Sequence, residues 1–211
     1  VNPGMMMDVL AIALTGVMEE VESMEISRIN SLSPFGVTVM EEQGVGISVK
    51  DFKDKMTNKE LAGHVGFKES VGLISEALGL EVTRFEQTMA PIITDIDRKS
   101  PYGFAKSGDV AGVDMNAVAY VNNKPMIKLH HPQQIEPQSA GVETGDYITI
   151  KGNPLVQMAI KPEVNGGVGT IAICVNMIPH VINARPGLKT MIDLPVPRAI
   201  LGDVRTLIES E

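Results

Sequence analysis

Between residues 110 and 160 the chain reverses direction at intervals too short to hold a crossover helix, and that spacing decides what it can fold into. Val110–Val121 reads as a strand, Asn122-Asn123-Lys124 as a tight hairpin turn, and 125–131 as the returning strand. Gly145-Asp146 leads into a strand at 147–150, and Lys151-Gly152-Asn153-Pro154 turns the chain into 155–160. Parallel neighbours need about a dozen or more residues between them, so these strands pair antiparallel. Residues 81–94 and 21–30 alternate apolar and polar in the same way. The helical patterns elsewhere must then cover one face of the sheet. The expected class is α+β: a mixed, largely antiparallel sheet covered by helices on one face, not an alternating βαβ fold.

Two stretches read as helices that are apolar on nearly every side. In the first, Asn2 is the expected N-cap and Pro3 the first helical residue, with Asp8 the only charge before Glu19. A helix of this kind must be buried all round. Asn165-Gly166-Gly167 opens the second, over 168–177, which Pro179 ends or kinks. Between them, 37–40 reads as a short strand and 44–55 as a mobile, charged connection. Thr57-Asn58-Lys59-Glu60 has the form of a capping box opening a short helix that ends at His64 and Gly66, and an amphipathic helix runs over 68–78 to Gly79. The tail from Ala184 is irregular. A chain that starts on a capped, buried helix is expected to be cut from a longer protein, with 1–211 forming one domain of it.

Composition narrows the class of function. The net charge is -8, the pI about 5.1, and the 18 basic residues are scattered. Nucleic-acid binding needs a basic stripe, so it is excluded. With 13 Met, 5 Phe and no Trp, the core must be aliphatic and methionine-rich. Cys174 is alone, which rules out a disulfide framework, suits a reducing compartment and reads as a buried structural thiol. The first apolar run is too short to span a membrane and lacks a signal peptide's basic start. The expected location is the cytoplasm.

The chemistry-bearing residues are few. Arg28 falls on the apolar parity of its strand, where it is an ion pair ahead of a ligand contact. Gly167-Val168-Gly169-Thr170-Ile171-Ala172 matches G-x-G-x-x-A with Asp193 beyond it, but Lys161-Pro162-Glu163-Val164 separates it from any strand. A glycine-softened helix start explains it better than a dinucleotide site. His130 and His131 point to opposite faces of a strand and cannot chelate one metal, while His64 and His180 are isolated, so no metal site is expected. No HExxH, G-x-S-x-G or Walker pattern occurs.

Two regions carry a resemblance. Val1-Asn2-Pro3-Gly4 with Asp8, Arg28-Ile29-Asn30, Ser33-Pro34-Phe35-Gly36 and Gln43-Gly44-Val45-Gly46 form the first. Val175-Asn176-Met177-Ile178-Pro179 and the run from Arg185-Pro186-Gly187 to Asp193-Leu194-Pro195 form the second. Together they resemble the C-terminal domain of the 2,4-diaminopentanoate dehydrogenase family, whose architecture is related to that of dihydrodipicolinate reductase. The resemblance implies a parent enzyme whose N-terminal Rossmann domain, absent here, binds NAD or NADP. That enzyme oxidatively deaminates 2,4-diaminopentanoate to 2-amino-4-oxopentanoate in clostridial-type ornithine fermentation. This chain would supply the substrate site and subunit interface of a homodimer or homotetramer and be inactive alone. The dihydrodipicolinate reductase histidine-lysine motif is missing.

Under that reading Arg28 is the anchor for the α-carboxylate, or a structural ion pair. Asp8 is the partner for the second ammonium, or solvates its own helix. The Asn2-Pro3-Gly4 helix start would present N–H groups to the carboxylate or to the cofactor amide, with Asn2 and Pro3 as the cofactor contacts. Ser33, Phe35 and His130 are further substrate contacts, and no residue stands out as the base. Two other readings remain: a non-catalytic ligand-binding and oligomerisation module, or a related reductase acting on another amino acid.

Overall fold

The computed structural model describes residues 1–209. In chain order the elements are α1 (Val9–Thr15), β1 (Glu20–Ser31), α2 (Val37–Glu42), α3 (Val49–Thr57), α4 (Phe67–Leu78), β2 (Arg84–Ile93) and two short strands, β3 (Arg98–Lys99) and β4 (Phe104–Ala105). There follow β5 (Val110–Val121), β6 (Lys124–Gln134), β7 (Gly145–Asn153), β8 (Val156–Ile160) and α5 (Gly166–Ile182). Six strands form one sheet in the order β2-β5-β6-β1-β7-β8. β1 runs parallel to β6, and every other neighbour is antiparallel. The α+β, largely antiparallel expectation holds, and the Asn122-Asn123 turn has both residues left-handed, as a two-residue hairpin demands.

Register explains which face is covered. Along β1, Met24, Ile26, Arg28 and Asn30 are buried and alternate with half-exposed neighbours. Met24 lies opposite Ile127 and Ile26 opposite Leu129, while Ala117 and Met115 of β5 face Leu129 and His131. Ala11, Phe52, Phe67, Val71 and Ile74 from α1, α3 and α4 close over these rows as one core. Beyond those helices the same face turns polar, with Arg28, His131, Asn30, Gln133 and Asp146 all buried. The site lies at this end.

Several local expectations are corrected. Asn2 does not cap α1: Gly4 has φ +115°, outside the helical region, and Asp8 is the cap, accepting from Val9 N–H at 2.7 Å. Nor is α1 buried all round. Of its residues only Ala11 is fully buried, and Val9, Ile12 and Ala13 line a cavity with Met191, Ile192 and Leu194 of the tail. Residues 37–40 are helical, because Met40 swings into a second apolar cluster with Leu32, Ala105, Ala111 and Ile135. Tertiary burial overrides β-branched propensity there.

The charged connection is helix α3. Ser48 caps it through Asp51 N–H at 3.1 Å, and Phe52 is buried beneath it. Thr57 ends this helix instead of opening another, and its hydroxyl donates to Lys53 O at 2.9 Å. Helix α4 ends as expected at Gly79 in the left-handed region. Helix α5 continues through Pro179 to Ile182, with Asn165 accepting from Val168 N–H at its start. Cys174 on α5 is exposed, not buried, because α5 turns much of its apolar surface outward. No described helix is long and apolar enough to cross a membrane.

Candidate functional site

A cleft of about 190 Å³ opens where the covering helices run out. Arg28 and Asn30 of β1, His131 and Gln133 of β6, Asn2, Phe35, His64, and Gly166 and Thr170 of α5 line it. The strand alternation that buries Met24 and Ile26 delivers Arg28 and Asn30 here, because side chains two residues apart share a face.

Arg28 is held from two sides. Its guanidinium pairs with Asp146 on the neighbouring strand and donates to Val164 O. Asp146 in turn accepts from Val164 N–H at 2.8 Å. A buried arginine needs such partners, because an isolated buried charge is very costly. The ion-pair reading of Arg28 therefore holds, and the same residue still lines the cleft.

The two imidazoles beside it are stacked. His64 lies on His131 with ring centroids 4.6 Å apart and planes within 13°. His131 contacts Asn30 Oδ1 through Nε2 at 2.9 Å and Met7 Sδ through Nδ1 at 3.4 Å. Asn30 Nδ2 donates to Ser31 O, which turns its carbonyl toward His131 and makes His131 the Nε2–H tautomer. Burial, then the fields of His64 and Arg28, push the His131 pKa well down. Burial followed by Arg28 lowers His64 to about 4. Both rings are neutral at pH 7.

Of the residues singled out from sequence, Asn2, Arg28 and Phe35 meet in this cleft. The other four substrate candidates and Pro3 do not line it. Asp8 is fully buried, accepting from Gly4 N–H, Val9 N–H and Ser70 Oγ, so its carboxylate serves the α1 entry. Gly4 is part of the same turn, and Pro3 packs against Gly66. Ser33 Oγ accepts from Glu136 N–H at 2.8 Å. His130 faces the opposite side of the sheet, 2.8 Å from Asp114 and 3.3 Å from Ser27.

Sequence reasoning missed Asn30, His64, Gln133 and Thr170 and chose His130 where its neighbour His131 lines the cleft. The period-2 pattern of Ile127, Leu129 and His131 was the available signal for the latter; nothing local marked His64. The glycine motif lies within the first turns of α5, not on a strand-to-helix turn, and forms no dinucleotide cradle. No described group of three or more His, Cys, Asp or Glu side chains is arranged to hold a metal.

Residues 5–210 match the family described as the 2,4-diaminopentanoate dehydrogenase C-terminal domain. This chain belongs to that family. A 2,4-diaminopentanoate dehydrogenase from Acetoanaerobium sticklandii is 58% identical over 212 residues, an alignment covering 100% of this chain and 60% of that relative. The chain thus spans about three-fifths of the relative it matches. An amine dehydrogenase from Mycobacterium smegmatis superposes with a TM-score of 0.81 at 21% identity, over 92% of this chain and 57% of that one. That likeness is one of fold. In this chain the Arg28–His64–His131 cleft is the polar end of the sheet face that carries the apolar core.

Proposed function

We propose that this chain is the substrate-binding and subunit-interface domain of an NAD(P)-dependent amino acid dehydrogenase that oxidatively deaminates 2,4-diaminopentanoate to 2-amino-4-oxopentanoate. The observation that carries the reading is the cleft itself, in a member of this family: a fixed guanidinium beside two neutral imidazoles. Arg28 uses some of its five N–H groups on Asp146 and Val164, and the rest anchor the substrate's α-carboxylate. Phe35 and Gly166 give the cleft an apolar wall for the carbon chain.

The nicotinamide, when bound, supplies the hydride acceptor. Under this proposal a separate N-terminal Rossmann domain holds most of the dinucleotide. Asn2, on the cleft wall, would meet the carboxamide through the amide hydrogen it does not direct at His64, with Pro3 next to it in the chain. Apolar side chains exposed along α5, Ile171 and Val175 among them, support a role in covering another protein surface. A homodimer or homotetramer in the cytoplasm, serving ornithine breakdown, fits this assignment.

Calorimetric titration tests it, using the full-length enzyme with its cofactor and then the 211-residue chain, against 2,4-diaminopentanoate, ornithine and NADP+. The expected result is saturable binding of 2,4-diaminopentanoate in preference to ornithine, and no tight NADP+ binding to the chain alone. Absence of diamine binding to the full-length enzyme would refute the substrate. Tight NADP+ binding to this chain would refute the division of labour.

A further inference from the structure

Deamination needs proton transfers that the Arg28 anchor does not supply. Hydride loss from an amine carbon to a nicotinamide dinucleotide leaves an iminium, and water must then add to that carbon before ammonia departs. Water addition needs a proton acceptor within hydrogen-bond reach. The ionisable groups lining the cleft are the Arg28, His64 and His131 side chains and the Val1 amino group, which donates to Thr170 Oγ1. Arg28 is a permanent cation. His131 has one nitrogen on Asn30 and the other against Met7 sulfur. Asp146 is paired with Arg28 and Val164 and does not line the cleft.

His64 differs from both. Its orientation is set through Asn2, whose Oδ1 accepts from Met7 N–H at 2.8 Å. That bond turns the Asn2 amide nitrogen toward His64 Nε2, at a long 3.4 Å. An amide nitrogen only donates, so Nε2 is the unprotonated nitrogen and Nδ1 carries the hydrogen. The ring plane is fixed by the stack on His131, and its backbone N–H is held at 2.7 Å from Met115 Sδ. The side chain is part-exposed, whereas His131 beneath it is buried.

We propose that His64 is the acid–base residue of this cleft, taking a proton from the water that attacks the iminium carbon and returning it to the departing nitrogen. The inference rests on the amine-oxidation reading given above. As the new C–O bond forms, the C=N π pair moves onto nitrogen and one water proton passes to His64 Nε2, leaving a neutral carbinolamine and an imidazolium. The imidazolium then gives its proton to the carbinolamine nitrogen. The C–N bond breaks, an oxygen lone pair closes the carbonyl, and the hydroxyl proton leaves with ammonia as ammonium. His64 ends as it began. Burial and Arg28 suit it to both halves of this cycle. They keep Nε2 unprotonated beforehand, its lone pair meeting only the long 3.4 Å contact from the Asn2 amide, which the attacking water displaces, and they make the transient imidazolium a strong acid toward the amine.

Two experiments decide it. In the 211-residue chain, imidazole nitrogen NMR at pH 7 is expected to show His64 as the neutral Nδ1–H tautomer. An imidazolium or an Nε2–H tautomer there overturns the proposal. In the full-length enzyme, His64→Ala is expected to give a burst of about one reduced nicotinamide per site. Turnover should then be on the order of 100-fold slower than wild type and be restored by added imidazole. Wild-type turnover, or loss without a burst and without rescue, overturns it. Should His64→Ala melt below assay temperature, His64→Asn fills the ring's place, and the expected result is the same burst and slow phase. A wild-type enzyme that oxidises no amine refutes the substrate reading instead, while the tautomer measurement still stands on its own.

Discussion

Arg28 and Asp146 face each other across the antiparallel β1–β7 pair, and both reach past one another to the same residue. Arg28 donates to Val164 O while Asp146 accepts from Val164 N–H, so one ion pair clamps both polar groups of the segment leading into α5. The first turns of α5 form one wall of the cleft, which ties the cleft's shape to this buried pair. Both side chains are only 3% exposed.

Asp146→Ala leaves a buried guanidinium with no counter-charge. The expected cost is about 3–5 kcal/mol of unfolding free energy, measured by urea denaturation. Arg28→Met combined with Asp146→Leu is expected to recover most of that stability without recovering substrate binding. A double variant as unstable as the single one would show that the lost bonds to Val164, rather than the unpaired charge, carry the cost.

Asp8→Ala tests whether that carboxylate serves the fold or the ligand. It removes the α1 cap and leaves Gly4 N–H, Val9 N–H and Ser70 Oγ without an acceptor in a buried position. A loss of about 2–4 kcal/mol is expected from several charge-assisted bonds that partly compensate on relaxation. Substrate affinity of the folded protein is expected to stay within about threefold of wild type (~0.6 kcal/mol). A hundredfold loss of affinity at unchanged melting temperature would move Asp8 into the binding site.

The architecture was legible where short-range rules act alone. Asn122 and Asn123 carry φ of 50° and 61°, and Gly79 of 64°, each a local conformation with a residue chosen for it. The box of Ser48 and Asp51 was equally local and was passed over for Thr57 and Glu60 nine residues on. For the cleft, parity along β1 placed Arg28 on the buried side, but its partner lies 118 residues away. His64 was beyond such reasoning altogether. It sits in an irregular segment, and its position depends on a sulfur 51 residues later and on the His131 ring of β6. Long-range packing alone brings those groups together.

Stability should fall with acid in a window set by the two imidazoles. Their pKa values in the folded state are lowered, His64 to about 4, so below about 6.5 the unfolded chain binds protons that the folded chain does not. Unfolding free energy is therefore insensitive to these groups above pH 7.5. Between about pH 6.5 and 4 it drops by up to about 1.4 kcal/mol per pH unit for each ring. Arg28 and the Val1 amino group act in this direction on His64, and Glu69 opposes them. Denaturation at pH 7.5, 6 and 5 checks the slope. His64→Asn together with His131→Asn should flatten it.

Gly63→Ala probes the support beneath His64. Gly63 has φ +58°, and a Cβ there would come within 2.6 Å of Met89 Sδ and 2.7 Å of Met115 Sδ. Both thioethers must move, and Met115 Sδ is the contact of the His64 N–H. Left-handed strain adds about 1–2 kcal/mol. The expected outcome is a fall in melting temperature accompanied by a changed His64 NMR shift. An unchanged His64 signal would mean that the stack on His131 holds the ring without help from β5.

Ile171→Asp separates what α5 does in this chain from what it does in the longer enzyme. Ile171 is 69% exposed, with Val168, Val175 and Val181 also outward on the same helix. A helix this apolar is normally covered, because contiguous exposed patches of that kind mark interaction surfaces. In the chain alone the aspartate removes no packing, so stability is expected to change by less than about 0.5 kcal/mol. In the full-length enzyme the same aspartate would be forced against an apolar surface or would release it. A loss of about 2 kcal/mol or more is expected there from burying a charge without a partner. Melting both forms with and without the substitution gives the comparison. Equal, small effects in both would mean that α5 stays bare in the complete enzyme.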